Sequence, residues 1–284
     1  MLTTIRRFLG KWVVPPAYTR ILGKGIQIRS KRAPKWVEIL DGPLRGRQML
    51  LNLDSPGFWQ RVLREGSFDS FIYEEMYKWG DLLGRTVWDV GAHMGYHTLA
   101  MACLVGSSGH VVAFEPNPHN LERLRTNLDR NPDLAQRVII VDSALSQDDG
   151  EMRFVQSSDV DGGRSSGSHL ADALLPMVES VYESFTETLV RCVKADTLLA
   201  SKAVPLPQVM KVDVEGAEHL VLNGAQQLLS NCRPILFVEV HNVTAMFHVQ
   251  KLLLGLGYSV EILDAQHSSP SRCFILAKPA NEAG

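Results

Sequence analysis

From residue 86 onward the chain alternates short apolar runs with segments of helical period. Thr86–Val90, Gly109–Glu115, Val138–Ser143, Val209–Val212 and Ile235–Val240 read as strands. Tyr96–Leu104, Pro118–Asn131, Ala217–Ser230 and Thr244–Leu256 read as helices. The segment 118–131 carries the signals in order: Asn117 to cap, Pro118 in the first turn, and Leu121, Leu124 and Leu128 as one apolar stripe. Strand–helix alternation of this kind predicts a mostly parallel sheet with helices on both faces. The last two strands, Tyr258–Leu263 and Cys273–Ala277, flank a Ser/Pro-rich turn and predict a terminal hairpin. Near the other end, Trp36–Leu40 and Gln48–Asn52 flank a Gly/Pro turn and predict a second hairpin, followed by a helix around Tyr73–Leu83.

This reading divides the chain into an extension, 1–67, made of an N-terminal arm and the hairpin, and a main domain, 68–284. Within the main domain, 156–187 is an insertion. It opens on the polar run Ser157–Ser168, continues into a short helix, and is either a functional lid or a mobile loop.

The charge pattern changes the picture at the N-terminus. Over 284 residues the net charge is only −2, but residues 1–37 carry nine Lys/Arg and no acid, against 20 basic and 31 acidic groups in the remainder. Leu2, Ile5, Leu9, Trp12 and Val13 share one helical face before Pro15–Pro16. A short basic amphipathic helix of this kind either packs on the body or lies on an anionic membrane surface, which makes residues 1–16 a candidate peripheral contact. No run reaches 18 apolar residues, and Arg6, Arg7 and Lys11 interrupt the start, so neither a membrane span nor a secretory signal is expected. The four cysteines show no C-x-x-C spacing, which argues against a disulfide framework or zinc site and favours the reducing cytoplasm, at the inner membrane surface if the arm binds lipid. Oligomeric state is not encoded in any of these features.

Val87-Trp-Asp-Val-Gly-Ala-His-Met-Gly95 runs from an apolar strand through a glycine turn into a helix. Gly91 and Gly95 permit a tight turn and close approach of backbone to a ligand. The Gly-x-x-x-Gly spacing is not that of a dinucleotide turn. Asp89 would repel a pyrophosphate but attract the amino group and sulfonium of S-adenosylmethionine. Ala92 and His93 complete the turn. Glu115, followed by Pro116 at the tip of the second strand, is placed to accept hydrogen bonds from ribose hydroxyls. Asp142, at the tip of the third, can accept from the adenine amine, with Ala144 against the ring.

The fourth strand ends Met210-Lys-Val-Asp-Val-Glu-Gly-Ala-Glu218 and the fifth Leu236-Phe-Val-Glu-Val-His-Asn242. Adjacent strand ends would thus bring Asp213, Glu215, Glu239 and His241 near a transferable methyl group, with Lys211 as a partner for the acids. His241 or Glu239 is the candidate general base and Asp213 orients the substrate. In the alternative, Asp213 and Glu239 hold Mg²⁺; metal-free chemistry is preferred.

Together VWDVGAHMGYHTL, FEPNPHNLERLRTNL, KVDVEGAEHLVLNGA and PILFVEVHN resemble the FkbM family of S-adenosylmethionine-dependent methyltransferases, over roughly residues 68–277. The resemblance implies a class I (Rossmann-like) methyltransferase fold, a seven-stranded sheet with an antiparallel last strand. It also implies O-methylation of a hydroxyl on a sugar, glycan or secondary metabolite. Three features depart from the family pattern: His93 where Asn is frequent, Thr197-Leu-Leu199 where T-L-D is common, and the basic arm. Three rivals remain at this stage. One is an NAD-dependent oxidoreductase. Another is a non-catalytic scaffold that binds the cofactor. The third is a methyltransferase acting on RNA, against which stand the acidic body and the lack of a recognisable RNA-binding module.

Overall fold

The computed structural model describes residues 34–51, 69–78, 82–157, 168–173, 185–263 and 272–280. The proposed amphipathic helix at 1–16, the polar run 158–167 and most of the short helix expected after it lie outside these residues.

Thirteen strands and eight α-helices are described, in the order β1 (Lys35–Glu38), β2 (Gln48–Leu51), α1 (Ser70–Lys78), β3 (Thr86–Val90), α2 (Tyr96–Leu104), β4 (His110–Phe114), α3 (Pro118–Asp129), α4 (Pro132–Ala135), β5 (Val138–Val141), β6 (Ala144–Leu145), β7 (Gly150–Ser157), β8 (His169–Leu170), β9 (Phe185–Val193), α5 (Ala195–Ser201), β10 (Val209–Val212), α6 (Glu218–Asn223), α7 (Gln226–Cys232), β11 (Ile235–Val240), α8 (Val243–Gly255), β12 (Tyr258–Ile262) and β13 (Cys273–Pro279). The main sheet has the order β12-β13-β11-β10-β3-β4-β5. Strands β11, β10, β3, β4 and β5 are mutually parallel, and β13 runs antiparallel between β11 and β12. This is the class I methyltransferase topology that the family resemblance implied.

β3 and β10 are buried at every position because helices cover both faces, which is why they read as continuous apolar runs rather than as alternating ones. On one face the core gathers α1, α2 and the β1–β2 hairpin, with Ile39, Leu44, Met49 and Leu51 fully enclosed. The hairpin therefore shares the core of the main sheet. On the other face, α5 to α8 pack over Trp88, Phe114, Met210 and Val238. Asn117 caps α3 by accepting from the His119 N–H at 3.0 Å. Leu121, Leu124 and Leu128 are buried, each contributing about 2 kcal/mol by removal from water.

Two elements differ from expectation. The helix expected over 217–230 is two helices, broken at Gly224. A Cβ there would lie 2.0 Å from the Ser146 carbonyl oxygen, so only glycine fits. The new end at α7 is capped by Asp196, which accepts from the Gln227 and Leu228 N–H groups at 3.1 and 2.9 Å. The second difference lies around the 156–187 insertion, which is framed by a four-stranded sheet ordered β6-β9-β7-β8. The four cysteines are unpaired.

Candidate active site

The C-terminal ends of the parallel strands line up the sequence candidates in one row. From β11 through β10, β3 and β4 to β5 they present Glu239 and His241, then Lys211 to Glu215, Asp89 and Gly91, Glu115, and Asp142. Strand spacing is about 4.8 Å, so this row is about 19 Å long.

At its centre the chain turns sharply. Gly91 has φ 87°, and a Cβ there would stand 1.8 Å from the Asp213 carbonyl oxygen. The bare Cα lets the loop after β10 close upon the turn after β3. The Gly91 and Ala92 N–H groups both donate to the Phe114 carbonyl at 3.0 Å. His93 adopts φ 52°, a left-handed conformation that Asn and His tolerate better than most residues, and burial lowers its pKa to about 4. Gly95, with φ 90°, starts α2.

Asp89 lies beneath this turn and is fully buried. Register places it opposite Lys211 of β10, with Nζ 3.9 Å from Oδ1, and Thr98 of α2 donates to Oδ2 at 2.6 Å. Burial raises its pKa against the pull of Lys211. In this arrangement Asp89 holds Lys211 and α2.

Glu115 is buried at the tip of β4. Its Oε2 accepts from the His93 N–H at 2.8 Å, and its Oε1 from the Asn117 N–H at 2.8 Å and Asn120 Nδ2 at 3.3 Å. Burial pushes its pKa up to about 7. Pro116 beside it is half-buried. Asp142 is exposed, 3.7 Å from Arg191 Nη1, and Ala144 is buried in β6.

The remaining candidates form one ion cluster. Lys211 Nζ lies 3.2 Å from Asp213 Oδ2. His241 Nε2 faces Asp213, Glu215 and Glu239 at 3.7, 3.4 and 3.7 Å. Its Nδ1 donates to Glu218 Oε1 at 2.8 Å. Burial opposes a charge on this ring, but the Glu218 hydrogen bond and the Glu215 and Asp213 carboxylates overcome it and lift the pKa to about 10. His241 is thus an imidazolium at neutral pH. Burial also opposes the charge on Asp213, yet Lys211 and His241 bring it down to about 2. Burial raises Glu215 to about 7, and burial with the Asp213 charge raises Glu239 well above the usual range.

The sequence reading missed several partners. Glu218, fully buried, closes the K-x-D-x-E-G-x-E run yet received no role. Its Oε1 also accepts from the Gly216 N–H at 2.9 Å, bracing a turn in which Glu215 and Gly216 both have positive φ. Arg272 Nη1 pairs with Glu239 Oε1 at 3.0 Å. Tyr73 Oη and His97 Nδ1 share a hydrogen bond at 2.6 Å, joining α1 to α2.

A model of the methyltransferase FkbM domain matches residues 89–260. The chain belongs to the FkbM methyltransferase family. It is 35% identical over 176 residues to the hexuronic acid methyltransferase AglP of Haloferax volcanii, covering 62% of this chain and 64% of that protein. It thus spans somewhat under two thirds of that relative. A 47-residue stretch, 16% of this chain and 22% of the relative, is 49% identical to a protein-L-isoaspartate O-methyltransferase of Methanothrix thermoacetophila. Among solved structures, the methyltransferase FkbM of Methylobacillus flagellatus is 20% identical with a TM-score of 0.47, over 68% of this chain and 43% of that one.

The FkbM family implies S-adenosylmethionine, and the residues fit it. The glycine turn 91–95 follows β3 directly, and Glu115 lies one strand away at the tip of β4. Five carboxyl groups (Asp89, Asp213, Glu215, Glu218, Glu239) and three basic groups (Lys211, His241, Arg272) share the cluster, an acid-rich surround suited to a sulfonium. Among the described residues no helix is long and apolar enough to cross a membrane.

Glu115 offers a test with two readouts. Glu115→Gln should weaken S-adenosylmethionine binding at least about tenfold by calorimetry, because an amide replaces one acceptor by a donor. The folded protein also holds the Glu115 proton up to about pH 7, whereas an unfolded chain releases it near the ordinary carboxylate value. Stability from this group is therefore present at acid pH and lost as pH rises to about 7. The wild-type melting temperature should fall more steeply between pH 5 and 7 than that of Glu115→Gln. Unchanged affinity would remove Glu115 from the cofactor site.

Proposed function

We propose that this chain transfers a methyl group from S-adenosylmethionine to an oxygen of a sugar, with acidic sugars the leading acceptors. The observation that carries the reading is the ion cluster at the tips of β10 and β11, directly beside the glycine turn of β3. The Haloferax relative, named for a hexuronic acid, supports a sugar acceptor.

When bound, S-adenosylmethionine supplies an electrophilic methyl group on a positive sulfur. The chain's residues do the rest. Glu115 and the 91–95 turn hold the cofactor. Asp213, kept ionised by Lys211 and His241, orients the acceptor and balances positive charge. An alcohol is a weak nucleophile at neutral pH, so its proton needs an acceptor. Glu239 is taken as the base, because Arg272 and His241 both face its Oε1, whereas both ring nitrogens of His241 already face carboxylates. Holding the two reactants in one geometry lowers the entropic cost of the step.

Asp213, Glu239 and His241 could instead ligate a divalent ion, since their ligand atoms lie within 4.8 Å of one another. Against this, Lys211 and Arg272 already pair with the two carboxylates, and both ring nitrogens of His241 face acids.

The test is transfer of labelled methyl from S-adenosylmethionine to a panel of uronic and neutral sugar glycosides, with and without EDTA. Methylation of sugar oxygen that survives chelation is expected. Activity lost to EDTA and restored by Mg²⁺ would replace the metal-free reading. Cofactor binding with no transfer to any sugar would sink the acceptor reading. Base-labile product would mark a carboxylate rather than a hydroxyl as the methylated oxygen.

A further inference from the structure

Arg272 differs from the other cations of the cluster. The Lys211 side chain is only 3% exposed and is spent on Asp213 and Asp89. His241 is ringed by four carboxylates. Arg272 enters from a separate element, just before β13. The register Glu239↔Phe274 and Val240↔Cys273 brings it to the tip of β11. Nη1 lies 3.0 Å from Glu239 Oε1, and the guanidinium carbon is 5.7 Å from the centre of the Phe274 ring. Two contacts thus fix the group, yet its side chain remains 40% exposed. Among the described residues its ion pair is with Glu239 alone. A guanidinium carries five N–H donors in a planar fork that matches a carboxylate.

We propose that Arg272 binds a carboxylate of the methyl acceptor and so selects acidic sugars over neutral ones. This deepens the acceptor reading above and rests on it. The surrounding charge sharpens the selection. The ionised Asp213 carboxylate in the same cluster repels an anion, so an acidic sugar is favoured with its carboxylate at Arg272. That orientation also suits the chemistry, because Arg272 and His241 both approach Oε1 of Glu239, leaving Oε2 to take the acceptor's proton.

The test uses the full-length protein saturated with S-adenosylhomocysteine, titrated calorimetrically with methyl glucuronide and with methyl glucoside. Wild type should bind the glucuronide more tightly. Arg272→Ala should weaken glucuronide binding about 30-fold and leave glucoside binding nearly unchanged, with Arg272→Lys between the two. Unaltered affinity for S-adenosylmethionine certifies that each variant is folded. Equal glucuronide affinity in wild type and Arg272→Ala, or no glucuronide binding by wild type, would overturn the assignment. Glucuronide held through Arg272 but never methylated would uphold the assignment and bring down the acceptor reading instead.

Discussion

A Gly91→Ala protein should lose S-adenosylmethionine binding and melt roughly 10 °C below wild type. The added Cβ would fall 1.8 Å from the Asp213 carbonyl oxygen and 2.9 Å from its carbon. Backbone cannot rotate away as a side-chain tip can. The strand ends of β3 and β10 must part, which strains the bond from the Asp213 N–H to the Val90 carbonyl, 3.0 Å in the native fold. Left-handed φ adds about 1–2 kcal/mol. Two other glycines calibrate the effect. At Gly46, φ is 80° with nothing within 4 Å, so alanine there reports backbone strain alone. At Gly95 the Cβ would meet the Leu124 Cδ1 tip at 2.4 Å, which can swing aside. The expected order of damage is Gly91, then Gly95, then Gly46. A Gly91→Ala protein that binds the cofactor normally and melts no lower than Gly46→Ala would show that the two loops do not need this contact.

The same contact marks what could be read from sequence and what could not. The five parallel strands announce themselves because burial on both faces makes them apolar runs, and each carries its chemistry at the same end. Pairings across the chain leave no such mark. β7 alternates, exposed at Glu151 and Arg153 and buried at Phe154 and Gln156, but its partner β9 starts 28 residues after β7 ends, with Gly150 opposite Cys192. Nothing local connects them. The break at Gly224 depends on Ser146, far away in sequence. At the site, residue types were legible and their partners were not. Asp89 reads as an acid at a strand end, and only register shows Lys211 opposite it. His241 and Glu239 both read as candidate bases, and nothing local shows Glu218, 23 positions before His241, on its Nδ1. Arg272 follows a polar turn with no signal of its own, and only the antiparallel entry of β13 brings it to Glu239.

Taking Glu239 as the base leads to the second large effect. Glu239→Gln should lower turnover by about 10²–10⁴-fold while leaving cofactor affinity unchanged. The amide fills the same space, and its oxygen can still accept from Arg272, but it cannot take a proton from an alcohol. Burial and the nearby Asp213 charge raise the proton affinity of Glu239, with His241 and Arg272 pulling the other way. A raised pKa brings a carboxylate closer to the range where a general base works best. The sign of the pH dependence follows. The base acts only when deprotonated, so wild-type turnover should climb with pH as Glu239 loses its proton, then level off. The climb should vanish in Glu239→Gln. His241 makes the opposite prediction, because it keeps its proton until about pH 10. As base it would give a rate still rising there. A limb near pH 10, abolished by His241→Asn and untouched by Glu239→Gln, would exchange the two roles.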